Sequence, residues 1–131
     1  MQRKAFEIPK SLVWMAYQDV RRNRGAPGCD GQTLTDFDRQ RDHNLYRIWN
    51  RLCSGSYFPP PVREKRIPKD NGKERILGIP TVSDRVAQGA VKRYVEAVID
   101  PIFHPDSYGY RPGRSAHDAL RQCSIRCRRK N

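Results

Sequence analysis

Apolar side chains recur at helical spacing over four stretches of this chain, and a polar stretch punctuated by proline and glycine interrupts them. In the first, Leu12, Val13, Ala16, Tyr17 and Val20 fall on one helical face. Pro9-Lys10-Ser11 reads as the entry. Arg21, Arg22 and Arg24 close the helix, where cations suit the negative end of its dipole. The next seven residues, GAPGCDG, hold three glycines and a proline and read as a loop. A second helix is predicted from Thr35, capped by that residue, with Asp36 and Asp38 at its positive end. Its stripe is Leu45, Ile48, Trp49 and Leu52, with Trp49 read as core, and Ser54-Gly55 ends it. Tyr57-Phe58-Pro59-Pro60-Pro61 then runs extended, because three prolines cannot sit in a central strand.

The polar stretch is VREKRIPKDNGKERILGIP, Val62 to Pro80, and it reads as a β-hairpin. Asp70-Asn71-Gly72 suits a three-residue loop that ends with Gly72 at positive φ in a bulge. That loop sets the register: Lys69 faces Lys73, and Ile67 faces Arg75. Side chains alternate along a strand, so Lys69, Lys73 and Arg75 share one face. A two-residue Asn71-Gly72 loop would put Lys69 and Arg75 on opposite faces. Three cations on one side would grip a polyanion; a solvated hairpin with surface lysines is the plainer reading, and spacing leaves both open.

Beyond the hairpin, Thr81-Val82-Ser83-Asp84 matches a capping box with Asp in the fourth place. The helix it opens is predicted to reach Asp100. Val82, Val86, Ala90, Tyr94 and Val98 lie on one face with Val91, Val95 and Ile99 beside them, which makes this the main packing helix. Gly89 inside it costs about 1 kcal/mol against alanine, and a close helix contact is the usual reason. Pro101 and Pro105 break the chain, and SYGYRPGR at 107–114 is irregular. Ser115 caps a last helix, with Asp118 three residues later and Ala116, Ala119, Leu120 and Cys123 as inner residues. Arg121, Arg126, Arg128, Arg129 and Lys130 make the tail basic. The fold class predicted is α+β, mostly helical with a protruding antiparallel β-hairpin.

Composition adds a partner class. The chain of 131 residues carries 26 Lys+Arg against 14 Asp+Glu, a formal charge of +12. A domain this basic most often meets nucleic acid, with an anionic membrane surface as the lesser option. Only 37% of residues are hydrophobic, so the core is expected to be modest. No apolar run is long enough for a membrane span, and MQRKAFEIPK lacks the apolar centre of a secretion signal, so the expected location is cytoplasmic. Cys29, Cys53, Cys123 and Cys127 form no CxxC pair and have no His at zinc-finger spacing; reduced thiols and no metal site are expected. Tyrosines interleaved with arginines at 107–114 suit nucleic acid, or a tyrosine-packed turn with exposed arginines.

GAPGCDG, then SGSYFPPPVREKRIPKDNGKERILGIPTVSDRVAQ, then SYGYRPGRSAHDAL, in that order, resemble the N-terminal half of a bacterial group II intron-encoded, retron-type reverse transcriptase/maturase. The resemblance runs from about Trp14 to the last residue. It implies the fingers subdomain of a right-hand polymerase as a single domain over 1–131: an N-terminal extension helix and loop (1–34), a helix (35–56), the extended segment and hairpin (57–80) and helices (81–131), with palm and thumb absent. It also implies roles. Lys69 and Arg75 match the fingertip cations that hold the triphosphate of the incoming deoxynucleotide. Ile79 and Pro80 match residues near the templating base. Arg63 and Asn23-Arg24-Gly25 fall in segments that touch template RNA. Tyr110, Arg111, Pro112 and Arg114 match a block that tracks the template backbone and shapes the pocket.

Catalysis in that family resembles two-metal chemistry, with aspartates clamping Mg²⁺. This sequence has no adjacent Asp pair. The expectation is therefore a polypeptide that binds no cofactor itself and polymerises nothing alone, with Mg²⁺ belonging to the full-length polymerase. Its partners there would be template or intron RNA, an RNA–DNA duplex and dNTP, with no membrane. The alternative is a stand-alone basic RNA-binding module that recognises structured intron RNA. A third class is a fragment that self-associates.

Overall fold

The computed structural model describes residues 5–128. Arg129 and Lys130 of the basic tail, and residues 1–4 of the N-terminal stretch, lie outside them. The elements run α1 (Lys10–Asn23), α2 (Leu34–Arg39), α3 (Arg41–Ser54), β1 (Arg63–Pro68), β2 (Glu74–Ile79), α4 (Val82–Ile99), a 3-10 turn (Asp100–Ile102) and α5 (Ala116–Arg128). This is the expected α+β class, mostly helical with one two-stranded antiparallel hairpin. The chain divides into two compact units, one up to Tyr94 and one from Val95.

In the first unit the core is built where the helical stripes predicted. Val13, Ala16, Tyr17 and Val20 of α1 meet Phe37 of α2, Ile48, Leu52 and Cys53 of α3, and Val82, Val86, Ala87 and Ala90 of α4. The Tyr17 and Phe37 rings stack at 5.8 Å. Trp49 packs against this cluster, and its indole N–H donates to the Ile8 carbonyl at 2.7 Å. Gly89 has the close contact expected of it: a Cβ there would lie 3.0 Å from the Ala16 methyl.

The helix expected from Thr35 is two helices. Thr33, not Thr35, is the cap: its hydroxyl accepts from the Asp36 N–H at 3.2 Å, and the Asp36 carboxylate accepts from the Thr33 N–H at 3.1 Å. These bonds, that from the Thr33 hydroxyl foremost, hold the Asp36 carboxyl below its ordinary range. Asp38, three residues after Thr35, is drawn instead to the Tyr17 hydroxyl. The break falls at Gln40, whose φ of −124° and ψ of 37° leave the helical region.

Helix α4 starts where expected with half of the capping box, the Thr81 hydroxyl accepting from the Asp84 N–H at 3.1 Å while the Asp84 carboxylate accepts from Tyr57 and Gln88. Its apolar face is longer than its buried part. Val82 to Ala90 carry the buried residues, whereas Val91, Tyr94, Val95, Val98 and Ile99 are exposed. Periodicity reports which side chains share a face, not how far along the helix neighbours cover them.

The second unit has no buried apolar residue among its described residues. Ser115 caps α5 as expected: its hydroxyl accepts from the Asp118 N–H at 3.2 Å and Asp118 accepts from the Ser115 N–H at 3.0 Å. The predicted inner positions Ala116, Ala119, Leu120 and Cys123 are not a core, and Leu120 is 67% exposed. No helix of the described residues is long and apolar enough to cross a membrane.

Candidate nucleic-acid interface

The hairpin carries six Lys and Arg between Arg63 and Arg75, and its turn decides which of them share a face. Asp70-Asn71-Gly72 forms the predicted three-residue loop. The Gly72 N–H donates to the Lys69 carbonyl at 3.1 Å, and the Lys69 N–H donates to the Lys73 carbonyl at 2.7 Å. Gly72 sits at φ 74°, where a side chain would be strained, and the Asn71 side-chain carbonyl accepts from the Lys73 N–H at 3.2 Å. The ladder then runs Pro68 opposite Glu74, Ile67 opposite Arg75, Arg66 opposite Ile76, Lys65 opposite Leu77, Glu64 opposite Gly78 and Arg63 opposite Ile79.

Alternation turns this register into a charge partition. One face holds Arg63, Lys65, Lys69, Lys73 and Arg75 with Ile67, Leu77 and Ile79, and no acid. The other holds both acids of the strands, Glu64 and Glu74, and Arg66 lies 3.4 Å from each of them. Among the described residues none of the five cations on the first face has a carboxylate within ion-pair distance. Lys69 and Lys73 face each other directly, and like charges so placed repel. All five are exposed, so in the free chain water and salt screen that repulsion. A polyanion laid on this face would relieve it further. The sequence pattern had pointed to Lys69, Lys73 and Arg75; Lys65 and Arg63 join them because the same odd-numbered parity continues to the base of the ribbon.

The ribbon is held at its root by the GAPGCDG loop. Gly28 is buried against the backbone of Pro80 and Thr81, where a Cβ would lie 2.6 Å from the Thr81 Cα and N. The Cys29 thiol donates to the Pro61 carbonyl at 3.0 Å. Thus one loop touches the chain both before β1 and after β2. Arg85 of α4 reaches back to donate to the Ala26 carbonyl. Burial holds the Arg85 guanidinium below its ordinary pKa. Beneath the root, buried Asp84 accepts from the Tyr57 hydroxyl and the Gln88 amide, both at 2.7 Å. Burial first, then that bond to Asp84, pushes the Tyr57 hydroxyl well above its ordinary range. Apart from its glycines, little in the loop's sequence foretold this bracing role.

The remaining predicted site residues fall in different settings. Ile79 and Pro80, at the end of β2, are half-buried, and Asn23 ends α1 on the surface. In the second unit, the Arg111 side chain is only 8% exposed. Its guanidinium lies 2.8 Å from the Asp100 carboxylate and donates to the carbonyls of Asp100, His104 and Ser107. Arg114 donates to the Pro105 and Ser107 carbonyls and lies over the Tyr108 ring at 5.1 Å. Both arginines therefore organise the 100–115 turn from within, unlike the exposed arginines of the tyrosine-packed reading. Tyr110, at φ 55°, is fully exposed, and Pro112 is exposed. Among the described residues no group of three or more His, Cys, Asp or Glu is placed to hold a metal ion.

No family model matches the chain. Curated relatives do. The group II intron-encoded protein LtrA of Lactococcus lactis subsp. cremoris is 38% identical over 113 residues, which cover 84% of this chain and 18% of the relative. The protein YkfC of Escherichia coli (strain K12) is 41% identical over 99 residues, 76% of this chain and 26% of the relative. A 91 kDa protein in the cob intron of Schizosaccharomyces pombe is 32% identical over 120 residues, 90% of this chain and 14% of the relative. The chain therefore spans about a quarter or less of the length of these relatives. By these similarities, and with an α+β fold that agrees with a fingers region, the chain belongs to the group II intron-encoded reverse transcriptase/maturase proteins.

Proposed function

We propose that this chain is the fingers portion of an RNA-directed DNA polymerase of the group II intron type, and that its hairpin grips the triphosphate of the incoming deoxynucleotide. The observation that carries this reading is the charge partition of the ribbon: five cations on a face without acids, and both acids drawn to Arg66 on the other. A triphosphate is a compact polyanion whose charge grows at the leaving group during transfer. Preorganised cations that need not first break internal ion pairs meet that charge at least cost. Lys69 and Arg75 are the grips. Arg63, Ile79 and Pro80 lie toward the root of the ribbon and are assigned to the template base and strand. Asn23, Tyr110, Arg111, Pro112 and Arg114 are assigned to the template path, with Arg111 and Arg114 acting by shaping the turn that presents Tyr110. Bond making at phosphorus falls to residues outside this chain, whose sequence has no adjacent Asp pair.

The test is a split between nucleotide and RNA. In a polymerase that contains this segment, Lys69→Ala or Arg75→Ala is expected to raise the KM for dNTP about tenfold or more, the worth of one charge-assisted bond. Affinity for template RNA should change less than about threefold, with its salt slope unaltered. Equal losses in both would instead make the hairpin part of an RNA-binding module.

A further inference from the structure

A second site stands apart from the hairpin's chemistry. Helices α1 and α3 enclose a cleft of about 280 Å³ lined by Lys10, Val13, Trp14, Asp42, Leu45, Tyr46 and Trp49. Its floor is apolar, and three of its walls are aromatic rings. Trp14 is 42% and Tyr46 56% exposed, a large outlay of aromatic surface for side chains that the core does not need. The Tyr46 and Trp49 rings lie 5.7 Å apart, inclined by 45°. Cations are set over these rings: Lys10 lies 4.6 Å from the Trp49 centroid and 5.7 Å from that of Tyr46, and Arg41 lies 5.3 Å from that of Trp14. Asp42 pairs with Arg41 at 3.0 Å and is the one acid among the lining residues.

We infer that this cleft is a stacking site for an unpaired base of single-stranded RNA, separate from the triphosphate-gripping hairpin. Charge selects the occupant. Lys10 and Arg41 outweigh Asp42, so a cationic side chain or ammonium ligand is repelled and an anionic one attracted. Shape selects further: indole and phenol rings suit a flat base, which on stacking would move the flexible Lys10 and Arg41 side chains off the rings and onto the phosphate attached to it. A polynucleotide supplies both in one repeating unit. An acidic peptide with an aromatic side chain is the competing occupant, and the experiment separates the two.

The chain's two tryptophans, Trp14 and Trp49, both line this cleft, so intrinsic emission reports on it directly. Oligo(A) RNA titrated into the whole chain at moderate salt is expected to quench that emission. An abasic oligomer of equal length is expected to bind with little quenching. Tyr46→Ala, at an exposed position, should weaken the quenching titration about tenfold, the usual worth of one base–aromatic stack. Lys69→Ala with Arg75→Ala should shift the quenching titration less than about threefold, against the tenfold of Tyr46→Ala. Equal quenching by the abasic oligomer would overturn the inference, reducing the effect to charge. So would saturation by oligo(A) with unchanged emission, or quenching confined to an acidic aromatic peptide. The comparison of the two oligomers uses the unaltered chain, so it stands even if Tyr46→Ala folds poorly.

Discussion

Replacing Gly28 with alanine puts one methyl group where the GAPGCDG loop meets the root of the hairpin. That Cβ would sit 2.6 Å from both the Cα and N of Thr81 and 2.9 Å from the carbonyl carbon of Pro80. Ordinary contact begins at 3.4 Å, so loop and root must part by about 0.8 Å. Neither side gives easily, because the atoms met are backbone rather than the end of a flexible side chain. Thr81 is buried, its hydroxyl caps α4 and its carbonyl accepts from the Arg85 N–H at 2.9 Å. Overpacking of this kind costs about 1–3 kcal/mol. With a urea slope of about 1–3 kcal/mol/M, the unfolding midpoint of the first unit should fall by about 1 M. Both tryptophans lie in that unit, so their emission follows its unfolding. Gly109→Ala is the control: nothing lies within 4 Å of its added Cβ and its φ is not positive, so it should stay within about 0.5 kcal/mol. A Gly28→Ala midpoint indistinguishable from that control would refute the packing of the loop on the ribbon's root.

Three other outcomes are expected. Tyr57→Phe removes one of two side-chain donors to buried Asp84 and should cost about 1–3 kcal/mol in the same unfolding assay, with the other donor, Gln88, left in place; a loss under 0.5 kcal/mol would count against the bond. Arg111→Lys breaks the four-acceptor fork in the 100–115 turn and should speed amide exchange across that turn while leaving the first unit unchanged. Asp118 and Asp106 are held below the usual carboxylate range, by the Ser115 hydroxyl bond and by Arg126 respectively. Their stabilisation is complete above that range and is lost as pH falls through the depressed values; α5 amide shifts followed by NMR should move in that acid window, and Asp118→Asn should abolish the part due to the cap.

Much of the fold was legible because local chemistry decided it. The Asp70-Asn71-Gly72 loop set the register, and with it the face shared by Lys69, Lys73 and Arg75. Thr81 with Asp84 and Ser115 with Asp118 marked two helix starts through bonds that span three residues. What stayed hidden depended on tertiary partners. Thr33 and Thr35 each precede an Asp by three, and only the pull of Tyr17 on Asp38 separates the two. The apolar stripe of α4 gave no hint that burial stops after Ala90. Arg111 and Arg114 read from composition as either phosphate contacts or exposed arginines beside a tyrosine-packed turn. Their forks are filled by Asp100 and by carbonyls of the 100–115 turn, which no spacing rule announces. Gly28 looked like a connector residue until the backbone it touches, more than fifty positions away, was in view.

The hairpin's two sides also make its turn length unforgiving. A single uncharged residue inserted between Lys69 and Lys73 would swap odd for even along β2. Glu74 would then join the lysines and Arg75 would cross to the acids, with total charge unaltered and every side chain still at the surface. Such a change would leave the isoelectric point and the helical core as they are, yet it would scramble the ribbon's polarity. Chain variants of equal charge can therefore differ sharply in their grip on phosphate, for a reason found only by counting.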